Sequence, residues 1–213
     1  MIVENPTPIT EEELIRLAKR AKGRITTIYL HWTAGHYGQV YDDYHLNIDR
    51  DGTLYATCDE LTERKAHTWK RNKGTIGIAL CCASDADCIL PAAVYAPEAV
   101  SAVEPDEYRD PYQAVIDFGC EPPTVRQIDA LARIVAILLK ELGLANSAAN
   151  VMTHCEIAFK DDYGPGSGDP ETKWDLWFLP DDARHGRLYP GGCVIRGKAA
   201  YYLREMKRQE KAA

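Results

Sequence analysis

Residues 25–32 read ITTIYLHW and run directly into TAG at 33–35. β-Branched and aromatic side chains dominate the first stretch and small residues follow it, so the pattern predicts a strand ending at Trp32, with His31 at its carboxyl end. Upstream, Thr10 and Glu13 form a capping box ahead of Leu14, Ile15, Leu17, Ala18 and Ala21, which recur at helical spacing until Gly23. Downstream, Tyr44–Ile48 and Thr53–Thr57 flank Asp49-Arg50-Asp51-Gly52, a hairpin signal, and TIGIALCC at 75–82 reads as a nearly unbroken buried strand. Thr124 and Gln127 open a second helix, whose apolar positions Ile128, Leu131, Ile134, Val135, Leu138 and Leu142 lead to Gly143. VMTH at 151–154 is a short strand, YGPGSGDP at 163–170 is loop, and Cys193 to Lys207 is a closing helix with Lys and Arg late. Strand and helix alternate, which predicts an α/β fold: a mixed central sheet with helices on both sides, in one domain over residues 1–213. Residues from about 83 to 123, rich in prolines and acids, read as an insertion, and no internal repeat is visible.

Composition narrows the function. Lys and Arg total 25 against 32 for Asp and Glu, a net charge of −7 without a basic block before the final helix, which speaks against nucleic acid as the main ligand. No apolar run reaches the roughly 18 residues of a membrane span, and the start MIVENPTPITEEELIRL lacks the succession of a signal peptide. The expectation is synthesis in the cytoplasm without membrane insertion. The 7 cysteines make no paired framework, so free, packed thiols are expected; for Cys81, Cys82, Cys88 and Cys120 a disulfide formed after export is the rival reading.

Two of the 6 histidines, His31 and His154, each close a short β-type run at the mouth of a loop. Strand ends hold a side chain accurately while its ring faces a cleft, which suits a metal ligand; a histidine satisfied by the backbone is the plainer alternative for either alone. For a third ligand, Asp161, Asp162, Asp169, Asp175 and Cys155 are local competitors, since carboxylate and thiolate both suit zinc. Cys155 directly follows His154, and in an extended strand it would face the other way. Trp32 and Trp69 fall beside motif histidines, where an indole at a cleft rim can stack on a sugar or peptide face.

In order along the chain, IYLHWTAG, DYHLNIDRDGTLY, AHTWKRNKGTIGIAL, VMTHCEI and KWD resemble the zinc-dependent N-acetylmuramoyl-L-alanine amidases of type 2, in the style of small phage endolysins and peptidoglycan recognition proteins. The likeness runs from about residue 25 to about 180 and leaves about 83 to 123 unmatched. It implies a Zn2+ cofactor held by His31, His154 and Asp175, with Lys173 as a catalytic lysine two residues before the carboxylate and Tyr44 as the active-site tyrosine. It also implies that His67 and the Asn72 region line the substrate groove, with peptidoglycan or muropeptides as the partner. Some relatives carry a glutamate in the strand where this chain has Ala79, a departure that favours the endolysin-like branch.

The residue types suit that chemistry. Two neutral imidazoles and one carboxylate leave a tetrahedral zinc an open position for water, whose pKa can fall to about 7. Lys173 is suited to stabilise charge on the carbonyl oxygen, a donor role worth roughly 3 kcal/mol in comparable sites, and Tyr44 to orient the water or relay a proton. The expected reaction is cleavage between N-acetylmuramic acid and L-alanine, by an endolysin that reaches the wall after holin-type release. A recognition module that binds without cutting and a cytosolic recycling amidase are the alternatives.

Overall fold

The computed structural model describes residues 1–90, 113–167, 173–180 and 188–212. Helix α1, Glu11–Ala21, begins at the expected capping box: the Thr10 hydroxyl accepts from the Glu13 N–H and the Glu13 carboxylate from the Thr10 N–H. Strand β1, Thr27–Trp32, follows; β2, Leu46–Ile48, and β3, Leu54–Ala56, form the hairpin, with Gly52 at φ 92° in the turn where a side chain would be strained. Strand β4, Thr75–Leu80, is buried at every position. Two short strands, β5 at Asp87–Ile89 and β6 at Val115–Asp117, pair antiparallel. They are the two ends of the expected insertion; its middle, residues 91–112, lies outside the described residues.

Helix α2, Val125–Leu142, is capped by Thr124 and Gln127 and ends at Gly143 in the left-handed region (φ 74°), where glycine avoids the Cβ clash. Strand β7, Val151–Thr153, is followed without a break by helix α3, His154–Lys160, so the sequence reading needs correcting here. Thr153 and Glu156 form a third capping box that turns the chain into helix, and His154 is the first helical residue, not the end of a strand. The alternation argument for Cys155 falls with it. Strands β8, Phe178–Pro180, and β9, Leu188–Pro190, make a small antiparallel pair, and the last helix α4, Gly191–Ala212, starts two residues earlier and ends later than expected.

The main sheet has the order β3-β2-β4-β1-β7, parallel except for the β2–β3 hairpin, so it is mixed as expected. Alternation divides β1 between two faces. Ile28 and Leu30, with Ile76, Ile78 and Leu80 of β4 and Leu46 and Ile48 of β2, join the principal core with Leu14 of α1, Leu131, Leu138 and Leu139 of α2 and Ile195 of α4. Each such side chain contributes about 1.5–3 kcal/mol by leaving water, and Leu138→Ala would cost about 2–5 kcal/mol. Tyr29 and His31 face the other side, where Tyr29 packs with Met152 and Ile157 of α3. One face of the sheet is thus core, and the other, under α3, is left for a site.

Candidate active site

The second face is built around small residues. Parallel register sets Gly77 beside Tyr29 and Ala79 beside His31, and the His67 ring lies so close over Gly77 that an added Cβ would sit 2.5 Å from its Cγ. A glycine inside a strand signals such a close approach, and Gly77 is readable in that way. His31, His45 and His67 are all buried, and the His31 and His67 rings are 5.4 Å apart. His45 is anchored by the backbone: its Nδ1 accepts from the Gly77 N–H at 3.0 Å and its Nε2 donates to the Glu63 carbonyl at 2.8 Å. Both ring nitrogens are used, so His45 serves the fold.

His31, His154 and Asp175 come from β1, the start of α3 and the turn before β8, and their polar atoms meet at one point. His31 Nδ1 and His154 Nδ1 are 3.1 Å apart, and Asp175 Oδ2 lies 3.4 Å from the first and 3.2 Å from the second. Among the described residues, they are the one group of His, Cys, Asp or Glu side chains whose geometry can hold a metal ion. The local competitors go elsewhere. Asp161 makes a two-pronged ion pair with Arg71 (2.8 and 2.6 Å), Asp162 and Cys155 stand outside the cluster, and Asp169 lies outside the described residues. All seven cysteines are free, and burial pushes the Cys81 thiol up to about 12 and Cys82 and Cys155 well up, so these three stay protonated packing groups.

His154 and Asp175 are each held from behind. His154 is positioned by the α3 capping box, whose Glu156 also takes two hydrogen bonds from Arg196 of α4, both 2.8 Å, while Arg196 Nη1 reaches the Val151 carbonyl at 3.0 Å. Asp175 sits in a tight turn in which Trp177 N–H donates to the Trp174 carbonyl at 2.9 Å and buried Leu176 takes a φ of 54°. Gly191 presses on this turn: a Cβ there would overlap the Leu176 carbonyl oxygen. The Asp175 carbonyl accepts from Cys155 N–H at 3.3 Å and joins the turn to α3.

Burial dominates the charge states. Loss of hydration holds the His31 imidazole down at about 4, outweighing the pull of the nearby Asp175 carboxylate, and takes His67 to about 2, with the neighbouring histidines adding to the effect. Burial alone would raise the Asp175 carboxyl, but His154, which hydrogen-bonds it, and the nearby His31 ring reverse this and hold it below the usual carboxylate range. Near neutral pH the cluster therefore presents one carboxylate with a neutral His31. The Tyr44 phenol is pushed far up by burial and by Asp175, so it remains protonated; its O–H donates to the Trp32 carbonyl at 3.3 Å, and its ring centroid is 5.1 Å from that of His31.

The cluster opens on a cleft with two lobes that share Ala66, His67, His154 and Lys173. The larger, about 620 Å³, is also lined by Thr68, Trp69, Asn72 and Tyr163; the smaller, about 400 Å³, by Tyr44, Trp32 and Asp175 among others. Lys173, Tyr44, His67, Trp69 and Asn72 thus all face the space in front of the cluster. Trp69 is 56% exposed, with the Lys70 ammonium 3.8 Å above its ring. Trp32 differs from the expectation of an open stacking surface: its ring is 4% exposed and packed edge-on against Trp174 and Phe118, because its position in β1 turns it away from His31. Sequence reading missed Thr68 and Tyr163. Thr68 Oγ1 lies 2.9 Å from His67 Nδ1 and 3.4 Å from His31 Nε2, while the Tyr163 hydroxyl and His154 Nε2 are buried without a hydrogen-bond partner among the described residues. Neither carries a sequence signal: Thr68 reaches His31 across 37 positions, and Tyr163 meets the cleft beside chain-distant Trp69.

A mixed α/β sheet that brings two imidazoles and a carboxylate to one buried point beside a cleft of several hundred Å³ has the form of a hydrolase built around a metal-binding constellation. The profile of the N-acetylmuramoyl-L-alanine amidases matches residues 21–167, more than half of the chain, and the chain belongs to this family. It is accordingly an enzyme with N-acetylmuramoyl-L-alanine amidase activity and a peptidoglycan substrate. No curated protein matches the chain. Lys173 and Asp175 lie beyond the matched segment, so their place beside His31 and His154 rests on the tertiary structure.

Proposed function

We propose that the chain is a zinc-dependent amidase acting as a phage or prophage endolysin, with His31, His154 and Asp175 as metal ligands and Tyr44 and Lys173 as catalytic residues. The observation that carries this reading is the triangle of donor atoms, 3.1, 3.2 and 3.4 Å on its sides. Ligands about 2.0–2.1 Å from a tetrahedral zinc are separated by about 3.3–3.4 Å, so the three atoms fit one face of that tetrahedron, with a fourth corner for solvent or substrate. Two ring nitrogens and a carboxylate oxygen brought to one buried point are acceptors that a single shared cation would satisfy together. The donor set of two nitrogens and one oxygen suits zinc and leaves it with reduced positive charge.

When bound, zinc supplies Lewis acidity, polarising the scissile carbonyl and making water a competent nucleophile near neutral pH. The chain's own residues do the rest. Lys173 brings a positive side chain to the cleft, where the carbonyl oxygen gains negative charge as water adds to the carbon. Tyr44 stays protonated and can accept a hydrogen bond from the attacking water while its O–H remains on Trp32. The C–N bond to L-alanine then breaks, and both protons of the attacking water leave it, one to the departing nitrogen and one to that amine or to solvent, leaving the L-alanine amine and the lactyl carboxylate. His67, Trp69 and Asn72 line the groove for sugar and peptide. The enzyme is made in the cytoplasm and reaches the wall by holin-type release.

The test is digestion of purified peptidoglycan with zinc-loaded protein, followed by mass spectrometry of the products, with His154→Ala as control. Release of stem peptides with a free L-alanine amine, lost in the variant and after chelation, supports the reading. Zinc binding with retention of muropeptides and no release would replace catalysis by recognition. Activity on soluble muropeptides but not on intact sacculi would replace lysis by recycling.

A further inference from the structure

We propose that Thr68 is a positioning residue that sets the tautomer of His31 through a one-way chain of hydrogen bonds ending on the Arg71 carbonyl, leaving His31 Nδ1 bare for a metal. The proposal rests on the ligand assignment above. The chain runs from His31 Nε2 to Thr68 Oγ1 (3.4 Å), on to His67 Nδ1 (2.9 Å), and across that ring from Nε2 to Thr75 Oγ1 (3.5 Å) and the Arg71 carbonyl (2.8 Å).

Its direction follows from donor and acceptor chemistry. A carbonyl only accepts, so the Thr75 hydroxyl hydrogen, in the shortest link, is committed to Arg71. Toward His67, Thr75 Oγ1 can then only accept, which places the His67 hydrogen on Nε2. A neutral imidazole carries one N–H, so His67 Nδ1 accepts, and its donor is the Thr68 hydroxyl. With that hydrogen used, Thr68 Oγ1 accepts from His31, which puts the His31 hydrogen on Nε2 and its lone pair on Nδ1. Nδ1 is the atom facing His154 and Asp175.

The device counters a local pull. Asp175 Oδ2, 3.4 Å from His31 Nδ1, favours a hydrogen on that nitrogen, which is the tautomer unable to bind a metal through it. Thr68 offers the competing acceptor on the far side of the ring. Partners behind metal-binding histidines act in this way and typically change affinity about 10- to 100-fold when removed. The Thr68 backbone is held separately, its N–H donating to Asn72 Oδ1 at 2.8 Å, so deletion of the hydroxyl leaves the loop anchored.

Thr68→Val and Thr68→Ser are compared with the parent in the full chain. Zinc affinity is measured by chelator competition, and the His31 tautomer of the metal-free protein by long-range ¹H–¹⁵N correlation. The expected result is Nε2–H in the parent and the serine variant. The valine variant should show Nδ1–H, with zinc affinity about 10- to 100-fold weaker and an unchanged circular dichroism spectrum. Nε2–H retained in the valine variant, with zinc affinity within twofold of the parent, would overturn the proposal. If Thr68→Val does not fold, Thr75→Val interrupts the far end and should move the His31 signal in the same direction; no movement counts against the chain. Absence of zinc binding by the parent would defeat the ligand reading alone, since the tautomer spectra test Thr68 without metal.

Discussion

Replacing Gly77 by alanine tests whether the histidine layer is packed against the sheet as tightly as the structure shows. The new Cβ would lie 2.5, 2.7 and 2.9 Å from His67 Cγ, Cδ2 and Nδ1, against an ordinary contact of about 3.5 Å or more between carbons. The buried ring would have to withdraw by about 1 Å, and overpacking of this kind costs about 1–3 kcal/mol. Alanine also removes the backbone freedom of a strand glycine, a gain of about 0.5–1 kcal/mol. The net effect in the parent is therefore a loss of roughly 0–2.5 kcal/mol, too wide a range to judge from one variant. A double-mutant cycle with His67→Ala separates the two terms: without the ring, Gly77→Ala should stabilise by about 0.5–1 kcal/mol, so the coupling should be about 1–3 kcal/mol. Urea unfolding of the four metal-free proteins measures it. A coupling below about 0.5 kcal/mol, within the usual range for independent sites, would refute the packing argument.

Arg196→Ala removes both hydrogen bonds to Glu156 and the one to Val151; it should destabilise by about 1–3 kcal/mol and weaken zinc binding by loosening the start of α3, as calorimetric titration would show. Gly191→Ala, whose Cβ would overlap the Leu176 carbonyl, should shift the Asp175 turn and lower zinc affinity at least tenfold while α2 and the main sheet stay folded; equal affinity would show that the turn is not held from α4. Stability of the metal-free protein should fall on acidification. His31 and His67 have folded-state values depressed to about 4 and about 2, below the unfolded value of about 6.5, so their contribution is present above about 6.5 and is lost as pH falls toward those values. By linkage His67 alone accounts for about 2–3 kcal/mol between pH 6.5 and 4.5, readable as a falling urea midpoint; a flat midpoint over that interval would contradict the neutral, buried state. Zinc at 100 times its dissociation constant should add about 2.7 kcal/mol to stability, and chelation should remove both this and activity.

Local signals were legible wherever a few neighbouring residues settle the conformation. Thr10 with Glu13, and Thr124 with Gln127, each exchange two hydrogen bonds within one turn, and both helices start where those pairs say. The β1 run and the Asp49–Gly52 turn are equally local, and they deliver the hairpin and the strand that carries His31. The same signal at Thr153 and Glu156 outweighs the β-type run before it, which is why His154 opens α3. Motif order along the chain pointed to the amidase family, which the profile match then showed.

What the sequence by itself determined is therefore the alternation of elements, the family and the two histidines, because capping, turns and side-chain periodicity act over a few residues. Asp175 was reached through the family resemblance, whereas its approach to the two histidines, the burial of Trp32, the contact of Gly77 with His67 and the chain through Thr68 were decided only by tertiary structure. Asp175 lies 144 positions from His31 and 21 from His154. Its approach to them depends on a turn pressed by Gly191 and joined to α3 through the Asp175 carbonyl. The energy of such contacts comes from distance and burial, and spacing along the chain encodes neither.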